Sequence, residues 1–122
     1  MSSINGIAQI ALSVTDLERA VAFYRDMLGI PHLFDAPGMS FFDAGGVRLM
    51  LGTQGGEPGA KGTLVYFRSD DLEAAHADLA SRGVRFEQPP HVVGRTPDRE
   101  VSIAFVTDPD GNLLGLMGER KL

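Results

Sequence analysis

The chain has 122 residues, of which 43% are hydrophobic, a formal net charge of −5 and no cysteine. One domain fits this length, and the lack of cysteine excludes disulfides, thiolate nucleophiles and zinc–thiolate sites. A negative net charge without a basic cluster argues against nucleic acid or an anionic membrane surface as a partner. Residues 1–6 show no signal-peptide pattern, and no apolar run is long enough to span a bilayer. We therefore expect a soluble, cytoplasmic protein.

A strand followed by a helix is predicted at the start of the chain. Residues 7–14 alternate between apolar and small or polar side chains, which indicates a strand with one face packed on a helix. Thr15 and Glu18 fit a capping box, with Thr15 as the capping residue. An apolar stripe then continues at helical spacing as far as Gly29, which predicts the helix end.

Three short strands are predicted to complete the first half. They are centred on residues 32–34, 40–43 and 47–51. Gly45 and Gly46 lie between the last two strands and are typical of a two-residue hairpin turn. Residues 52–62 are rich in glycine, show no periodicity and lack the Lys-Ser/Thr of a phosphate loop, so we interpret them as a linker.

The same order of elements restarts after the linker. A strand is predicted over residues 63–68, and Asp70-Asp71-Leu72-Glu73 begins a helix that ends at Gly83. The remaining elements are predicted as a strand over 84–87, a long loop over 88–99, and strands over 100–107 and 112–117. Asp108-Pro109-Asp110-Gly111 supplies the turn before the last strand. Its two aspartates are expected to fix that turn through Asx hydrogen bonds rather than to act as catalytic carboxylates.

The two halves are repeats of each other. Residues 16–18 align on 71–73 at an offset of 55, and residues 42–51 align on 107–116 at an offset of 65. The pairs that result include Gln9 with Leu64 and Met50 with Gly115. Self-similarity with a period near half the chain length indicates duplication of one structural unit.

Three stretches of the chain form a specific combination. They are residues 10–28 (IALSVTDLERAVAFYRDML), 46–52 (GVRLMLG) and 107–117 (TDPDGNLLGLM). Together they resemble the glyoxalase/bleomycin-resistance/dioxygenase superfamily, also called the vicinal-oxygen-chelate proteins, over nearly the whole chain. The resemblance implies an α+β fold of two βαβββ modules that form a cup-shaped sheet, with the binding site in the cup and usually a homodimer. We predict a single domain over 1–122, with modules at 5–53 and 62–118 and a linker at 54–61.

The resemblance also implies where a metal would bind. In the metal-dependent members, the first and the last strand of each module each provide one ligand. Carried over residue by residue, these positions are Gln9, Met50, Leu64 and Gly115. First-row divalent ions prefer imidazole and carboxylate donors, whereas these four positions offer one neutral amide and one thioether. We therefore predict no metal and no cofactor, which argues against the metal-based mechanisms of the superfamily.

Strand alternation predicts a mixed polar and apolar lining for the cup, as expected for a small organic ligand. The predicted ligand-binding residues are Gln9, Ser13, Arg48, Met50, Leu64, Tyr66, Arg68, His91 and Gly115. Arg68 either pairs with a carboxylate or phosphate of the ligand or points to solvent. Tyr66 either stacks on an aromatic ligand or belongs to the core.

His91 is the candidate catalytic residue. It follows two prolines that stiffen the chain, and a sub-group of the superfamily carries a similar Pro-His segment. An imidazole is a common general base, but the sequence places no second catalytic group beside it, so an ordinary loop histidine is the alternative. His32 and His76 are interpreted as structural, and Glu119 either reaches the mouth of the cup or packs as part of the tail.

Two functions remain open from the sequence. The first is metal-independent binding of a small organic ligand in a dimeric cup, as in bleomycin-resistance proteins. The second is a lyase, isomerase or dioxygenase with a non-standard site in which His91 and Arg68 act on the substrate. The predicted partners are a small molecule and a second copy of the chain, with no nucleic acid and no membrane.

Overall fold

The computed structural model describes residues 7–53 and 64–122, which belong to two compact units. The division between the units falls after Pro58. Each unit contains one four-stranded sheet and helical structure between its first and second strands. No helix within the described ranges is both long enough and apolar enough to cross a membrane.

The first unit is a βαβββ unit. Its elements are β1 Gln9–Ser13, α1 Leu17–Val21 with a π-helical continuation Ala22–Met27, β2 His32–Ala36, β3 Met39–Ala44 and β4 Val47–Gly52. The strand order is β1-β4-β3-β2, in which β1 runs parallel to β4 and the other pairs are antiparallel. A parallel pair requires a crossover connection, and the rest of the unit supplies it. The predicted hairpin turn is confirmed, because Gly45 and Gly46 both have positive φ, as a type I′ turn requires.

The core of the first unit lies between the helix and one face of the sheet. Tyr24 and Phe42 are fully buried with their ring centroids 6.2 Å apart. Leu49 and Leu51 are buried at alternate positions of β4, so β4 turns these side chains toward the core. The intervening positions, which include Arg48 and Met50, therefore lie on the opposite face, which we call the open face.

Helix α1 is capped by Asp16 and not by Thr15. The Asp16 Oδ1 atom accepts a hydrogen bond from the Arg19 backbone N–H at 3.1 Å, and Asp16 has the extended backbone typical of a capping residue. Thr15 Oγ1 instead accepts a hydrogen bond from the Arg19 guanidinium at 3.3 Å. The capping-box prediction was wrong because Asp16, one residue later, accepts from the backbone N–H three residues beyond it, so the helix begins one residue later than a Thr15 cap would set. Asp71 caps the second helix in the same way, through the Ala74 N–H at 3.0 Å.

The second unit repeats this architecture. Its elements are β5 Val65–Arg68, α2 Leu72–Ser81, β6 Arg85–Arg95, β7 Arg99–Thr107 and β8 Leu113–Lys121. The strand order is β5-β8-β7-β6, with β5 parallel to β8. Leu114 and Leu116 of β8 and Val106 of β7 are buried on the helix side of the sheet. The alternate positions of these strands form the open face of this unit.

Strand β6 occupies most of the segment that was predicted as a loop over 88–99. Its pairing with β7 continues as far as Arg95 opposite Glu100, with three register shifts along the way. Pro89 and Pro90 lie within the strand, which is possible because β6 is an edge strand and its bulges remove the need for regular N–H donation. The loop prediction was wrong for this reason. Strand β8 also runs beyond the predicted end at residue 117.

The strand registers confirm the duplication. In the first unit Ile10 pairs with Leu49, and in the second unit Val65 pairs with Leu114. The first residues of these pairs are 55 apart and the second residues are 65 apart, which are the two offsets read from the sequence. The two units therefore share both topology and register.

The turn before β8 is confirmed as an Asx turn built on Asp108. This buried carboxylate accepts hydrogen bonds from the backbone N–H of Asp110 at 2.9 Å and of Asn112 at 2.8 Å. Its second oxygen accepts from the Asn112 side-chain amide at 2.8 Å. Asp108 is thus fully engaged in fixing the turn, and Gly111 completes the turn with a φ of 84°.

Candidate functional site

Strands β1 and β4 bring three of the predicted ligand-binding residues together on the open face of the first unit. Gln9 pairs with Arg48, and Met50 lies two positions farther along β4. Arg48 Nε donates a hydrogen bond to Gln9 Oε1 at 3.1 Å. Gln9 Nε2 donates in turn to Met50 Sδ at 3.7 Å. Ser13, at the other end of β1, pairs with Gly52.

Two phenylalanines that the sequence analysis did not select also belong to this face. Phe41 lies directly opposite Met50 in the β3–β4 pair, and the Arg48 guanidinium carbon is 5.6 Å from the centre of its ring. Phe34 stacks on Phe41 with ring centroids 4.4 Å apart and an interplanar angle of 20°. The signal for Phe41 was available in the sequence, since antiparallel pairing across the Gly45-Gly46 turn places it beside Met50.

The open face of the second unit carries two rows of residues that run across its strands. The first row is Tyr66, Gly115, Phe105 and Gln88, and the second is Arg68, Met117 and Ile103. His91 pairs with Ile103 in backbone register, but it lines a cavity on the helix side of the sheet. Neighbouring strands lie about 4.8 Å apart, so three spacings separate Arg68 from His91 by roughly 14 Å at the backbone. The two residues lie on opposite edge strands. Leu64 immediately precedes β5 and is exposed.

The Tyr66 ring lies over Gly115. A Cβ atom added to Gly115 would stand 2.5 Å from Tyr66 Cε1 and 3.0 Å from Tyr66 Cγ, so the ring occupies the space that a side chain at position 115 would need. Phe105 flanks the tyrosine with ring centroids 6.1 Å apart. Tyr66 is 42% exposed, so it is a surface residue of the open face and not part of the core.

Arg68 is exposed at the end of β5 and forms no ion pair with any residue in the described ranges. Its position beside Met117 places a positive charge next to an apolar side chain. Both alternatives from the sequence, a contact with an anionic ligand group and a side chain that points to solvent, agree with this exposure.

His91 is held by its own strand. Its Nδ1 atom lies 2.9 Å from the Pro89 carbonyl oxygen. A carbonyl only accepts hydrogen bonds, so Nδ1 carries a proton, and in the neutral ring Nε2 is left as a lone-pair acceptor. That tautomer is the one a general base at Nε2 requires.

His91 also lines a cavity of about 360 Å³ where the beginning of α2 faces strands β6 to β8. The cavity is acidic, since its lining includes the carboxylates of Asp70, Asp71, Glu73, Glu100 and Glu119. Arg120 is the only arginine or lysine in this lining. The structure thus brings His91 and Glu119 to one cavity, which their spacing in the sequence did not predict.

Glu100, which lines this cavity, is held by two arginines. Its side chain is only 11% exposed and accepts from Arg95 Nε and from Arg120 Nη2, each at 3.0 Å. Because Arg120 is committed to Glu100, it does not neutralise the other carboxylates. Nevertheless, within the described ranges no three histidine, aspartate or glutamate side chains are arranged to hold a metal ion.

A further polar cluster lies between β2 and β3. His32 Nε2 is 2.8 Å from Asp35 Oδ1, and Ser40 Oγ donates to the same Asp35 oxygen at 2.6 Å. These hydrogen bonds, that of Ser40 first and that of His32 second, hold the pKa of Asp35 below its ordinary value. Ser40 is completely buried, so no substrate can reach its hydroxyl. The cluster is consistent with a structural role for His32, and His76 packs its ring against Phe86.

The four positions at which the superfamily resemblance implies metal ligands do not fit a first-row divalent ion. Gln9 is engaged by Arg48 and Met50, and the thioether is a soft donor. Leu64 has no donor atom. Gly115 has no side-chain donor, and the Tyr66 ring occupies the space that a side chain there would need. These four positions therefore do not supply a donor set for a first-row divalent ion.

The chain is similar to known proteins in both sequence and structure. The family model described as "Glyoxalase/Bleomycin resistance protein/Dioxygenase superfamily" matches residues 6–116. The chain is 30% identical to the uncharacterized protein YraH of Bacillus subtilis, over 88% of this chain and 94% of that protein. It is 28% identical to the metallothiol transferase FosB of Staphylococcus epidermidis, over 93% of this chain and 83% of that protein.

Solved structures give the same result. A member of this superfamily from Sphaerobacter thermophilus has a TM-score of 0.78 and 26% identity, and covers 94% of this chain and 98% of its own. A lactoylglutathione lyase from Agrobacterium tumefaciens has a TM-score of 0.72 and 25% identity, and covers 96% of both chains. Fold, repeat and sequence agree, and the chain belongs to the glyoxalase/bleomycin resistance protein/dioxygenase superfamily.

Proposed function

We propose that this protein binds a small organic ligand on the open faces of its sheets and does so without a transition metal, in the manner of bleomycin-resistance proteins. The observation that carries the proposal is the Tyr66 ring over Gly115. At a position where the metal-dependent members of the superfamily place a ligand, this chain presents an aromatic surface. An aromatic ring supports stacking of an organic group and supplies no ligand for a divalent ion.

The rest of the open faces suits the same purpose. Organic ligands are held mainly by apolar and aromatic side chains with a few polar groups that set orientation. Tyr66, Phe105 and Met117 provide the apolar part in the second unit, with Arg68 beside them. Arg48 and Gln9 provide polar groups in the first unit.

Ligand screening of the intact protein tests the proposal. Thermal denaturation is followed with a panel of small aromatic and heterocyclic compounds, and hits are measured by calorimetric titration. We expect at least one compound to raise the melting temperature, and Y66A to weaken its binding. L33A removes a comparably exposed apolar side chain from β2 and should leave the affinity unchanged. Equal loss in Y66A and L33A, or no binding across the panel, contradicts the proposal.

The metal part of the proposal has a separate test. After dialysis, elemental analysis is expected to find less than stoichiometric transition metal, and titration with Zn²⁺, Ni²⁺, Mn²⁺ or Fe²⁺ should give only weak binding. The physical reason is the donor set, in which Gln9 is the single nitrogen or oxygen side chain and is uncharged. One bound equivalent with sub-micromolar affinity that is lost in Q9A contradicts this expectation.

A second function, metal-independent catalysis, has one specific observation in its favour. The hydrogen bond of His91 to the Pro89 carbonyl leaves Nε2 as a potential base, and His91 lines a cavity of about 360 Å³. Turnover of glutathione adducts, of methylglyoxal hemithioacetal and of catechols tests it. Activity that persists after chelation and is lost in H91Q but kept in H76Q favours catalysis over simple binding, and absence of turnover favours binding.

A further inference from the structure

We infer that the ligand carries an anionic group, a carboxylate or a phosphonate, and that Arg48 receives it while Gln9 holds Arg48 in place. The inference rests on the proposed function and adds the chemical class of the ligand. It also gives Gln9 a role of its own. At a position that provides a metal ligand in other members of the superfamily, this chain has a residue that positions a guanidinium.

The hydrogen bonds of Arg48 determine which of its nitrogens are available. Nε donates to Gln9 Oε1 at 3.1 Å, and one face of the guanidinium lies over the Phe41 ring at 5.6 Å. No other hydrogen bond of the Arg48 side chain is formed with the described residues. The two terminal nitrogens therefore remain for an end-on bidentate contact, the geometry with which arginine recognises carboxylates and phosphate-type groups.

Gln9 is oriented by a second contact, which makes it a positioning residue. Its carbonyl oxygen must face Arg48 Nε–H, because that nitrogen only donates. Its amide nitrogen then points to Met50 Sδ at 3.7 Å. The chain Met50–Gln9–Arg48 runs across the parallel β1–β4 pair, so strand register sets the direction of the guanidinium.

The charge of Arg48 is not cancelled by an ion pair with any of the described residues. Five other arginines show the contrast, because each forms an ion pair: Arg25 with Asp26, Arg82 with Asp78, Arg85 with Glu87, and Arg95 and Arg120 with Glu100. Asp43 lies directly across from Arg48 in the β3–β4 pair. Its Oδ1 accepts the Gly46 N–H at 2.8 Å and it forms no ion pair with Arg48 within those ranges. A guanidinium kept unpaired in a chain of net charge −5 points to an external anion.

The neighbouring rings indicate what the anionic group is attached to. Phe34 stacks on Phe41 and keeps 47% of its surface exposed. A ligand whose acid group meets Arg48 would find this aromatic surface next to it. An organic acid with an aromatic or other planar group therefore matches the site better than a simple inorganic anion.

Three phenyl compounds test the charge requirement: benzoate, phenylphosphonate and neutral benzamide, which matches benzoate in shape. Binding to the intact protein is followed by two-dimensional NMR, with the Arg48 Nε–H signal and the β1 and β4 amides as reporters. We expect saturable shifts with one or both anions and none with benzamide. The stronger of the two anions identifies the acid group as carboxylate or phosphonate.

Variants then assign the contact. R48Q should weaken anion binding by roughly tenfold or more, as expected for loss of a charge-assisted bidentate contact. R82Q removes an equal charge from an arginine paired on α2 and should leave binding unchanged. D43N keeps an acceptor for Gly46 and removes the opposing charge, so it should tighten binding.

Two substitutions at Gln9 separate positioning from charge. Q9L leaves the Arg48 charge but removes its acceptor, so binding should weaken and the Nε–H signal should move in the free protein. Q9E keeps the acceptor and neutralises the guanidinium, so binding should be lost while Nε–H stays hydrogen-bonded. Unchanged benzoate and phenylphosphonate binding in R48Q, or benzamide binding as tight as that of the anions, overturns the inference. Neutral compounds that bind and depend on Tyr66 would at the same time leave the proposed function intact.

Discussion

Tyr66 and Gly115 show how two residues on neighbouring strands decide the character of the site. The ring lies where any side chain at position 115 would stand. Glycine in a strand weakens it intrinsically, and its presence often marks a close approach of another group. Here that group is the aromatic ring of Tyr66 on the same open face.

We predict that G115A destabilises the protein by about 1–3 kcal/mol, the usual cost of overpacking, because the added methyl group collides with the Tyr66 ring. Chemical denaturation measures the change. G94A is the matched control, since a Cβ at Gly94 meets nothing within 4 Å, and its effect should stay within about 0.5 kcal/mol. In the Y66A background the penalty of G115A should largely disappear. A penalty that survives there would mean that the clash is not its cause.

The hydrogen bond from Ser40 to Asp35 lowers the pKa of that carboxyl, so its contribution to the stability of the protein depends on pH. The Ser40 hydroxyl is the largest cause that lowers the pKa of Asp35, with His32 second. A group whose pKa is lowered by folding stabilises the protein above its unfolded pKa, and this contribution disappears as the pH falls through the folded pKa. S40A should therefore raise the pKa of Asp35 towards its ordinary value of about 3.9.

Carboxyl carbon NMR titration of Asp35 checks this directly, and denaturation at several pH values gives the linked effect. The stability difference between the wild type and S40A should narrow as the pH is lowered below about 4. S81A removes an exposed hydroxyl that donates to a backbone carbonyl and should leave the Asp35 titration unchanged. An Asp35 pKa that is the same in S40A and wild type would show that the hydroxyl is not responsible.

At the scale of the elements, both helices begin with an aspartate cap. Asp16 and Asp71 occupy equivalent positions in the repeat and make the same side-chain contact with the third residue beyond them. Aspartate satisfies an unpaired backbone donor and also places a negative charge at the positive end of the helix. The duplication has therefore conserved the helix start in both halves of this chain.

We predict that D16A costs about 1 kcal/mol of unfolding free energy, the usual effect of removing an N-cap. T15A should cost less, because Thr15 lies outside the N-cap position and its Oγ1 accepts from the exposed Arg19 guanidinium. Urea denaturation of both variants makes the comparison, with D71A as the equivalent change in the second unit. A larger cost for T15A than for D16A would restore Thr15 as the cap.

Strand β6 illustrates a limit of local patterns. Pro89, Pro90 and Gly94 interrupt the periodicity, and a loop is the natural prediction from them. In the sheet these residues lie on an edge strand, where prolines and bulges are tolerated and protect the edge from pairing with other chains. Whether a segment is an edge strand depends on its neighbours in the sheet, so residue composition alone did not reveal it.

At the scale of the whole molecule, each unit leaves sheet edges and apolar side chains uncovered. Leu33 is exposed on β2, and Val92 and Val93 are exposed on β6, each strand being an edge of its own sheet. Exposed apolar edges are normally covered by a partner. We propose a second copy of this chain as that partner.

Light scattering at micromolar concentration tests the proposal. We expect a mass of twice 13.1 kDa. The expectation follows from the exposed edge residues, and the charged substitutions V92K and V93K should lower the mass toward that of the monomer. A mass near 13.1 kDa for the unmodified protein contradicts the homodimer.

The sequence alone determined the superfamily, the duplication, both helices, the Gly45-Gly46 turn and the Asp108 turn. It also showed that the positions of metal ligands lack suitable donors. These conclusions depend on residue type, spacing and local hydrogen bonding, all of which are visible along the chain. The offsets of 55 and 65 predicted the strand registers because each side chain must keep its face of the sheet.

Only the tertiary structure decided which side chains meet. The contacts of Arg48 with Gln9 and Phe41, of Ser40 with Asp35 and His32, and of Tyr66 with Gly115 all link different strands. Such contacts depend on rotamers and on bulges between strands as well as on register. Rotamers and bulges are set by the energy of the whole fold and leave no local pattern in a single sequence. The partners of each polar group therefore became known only from the packed structure.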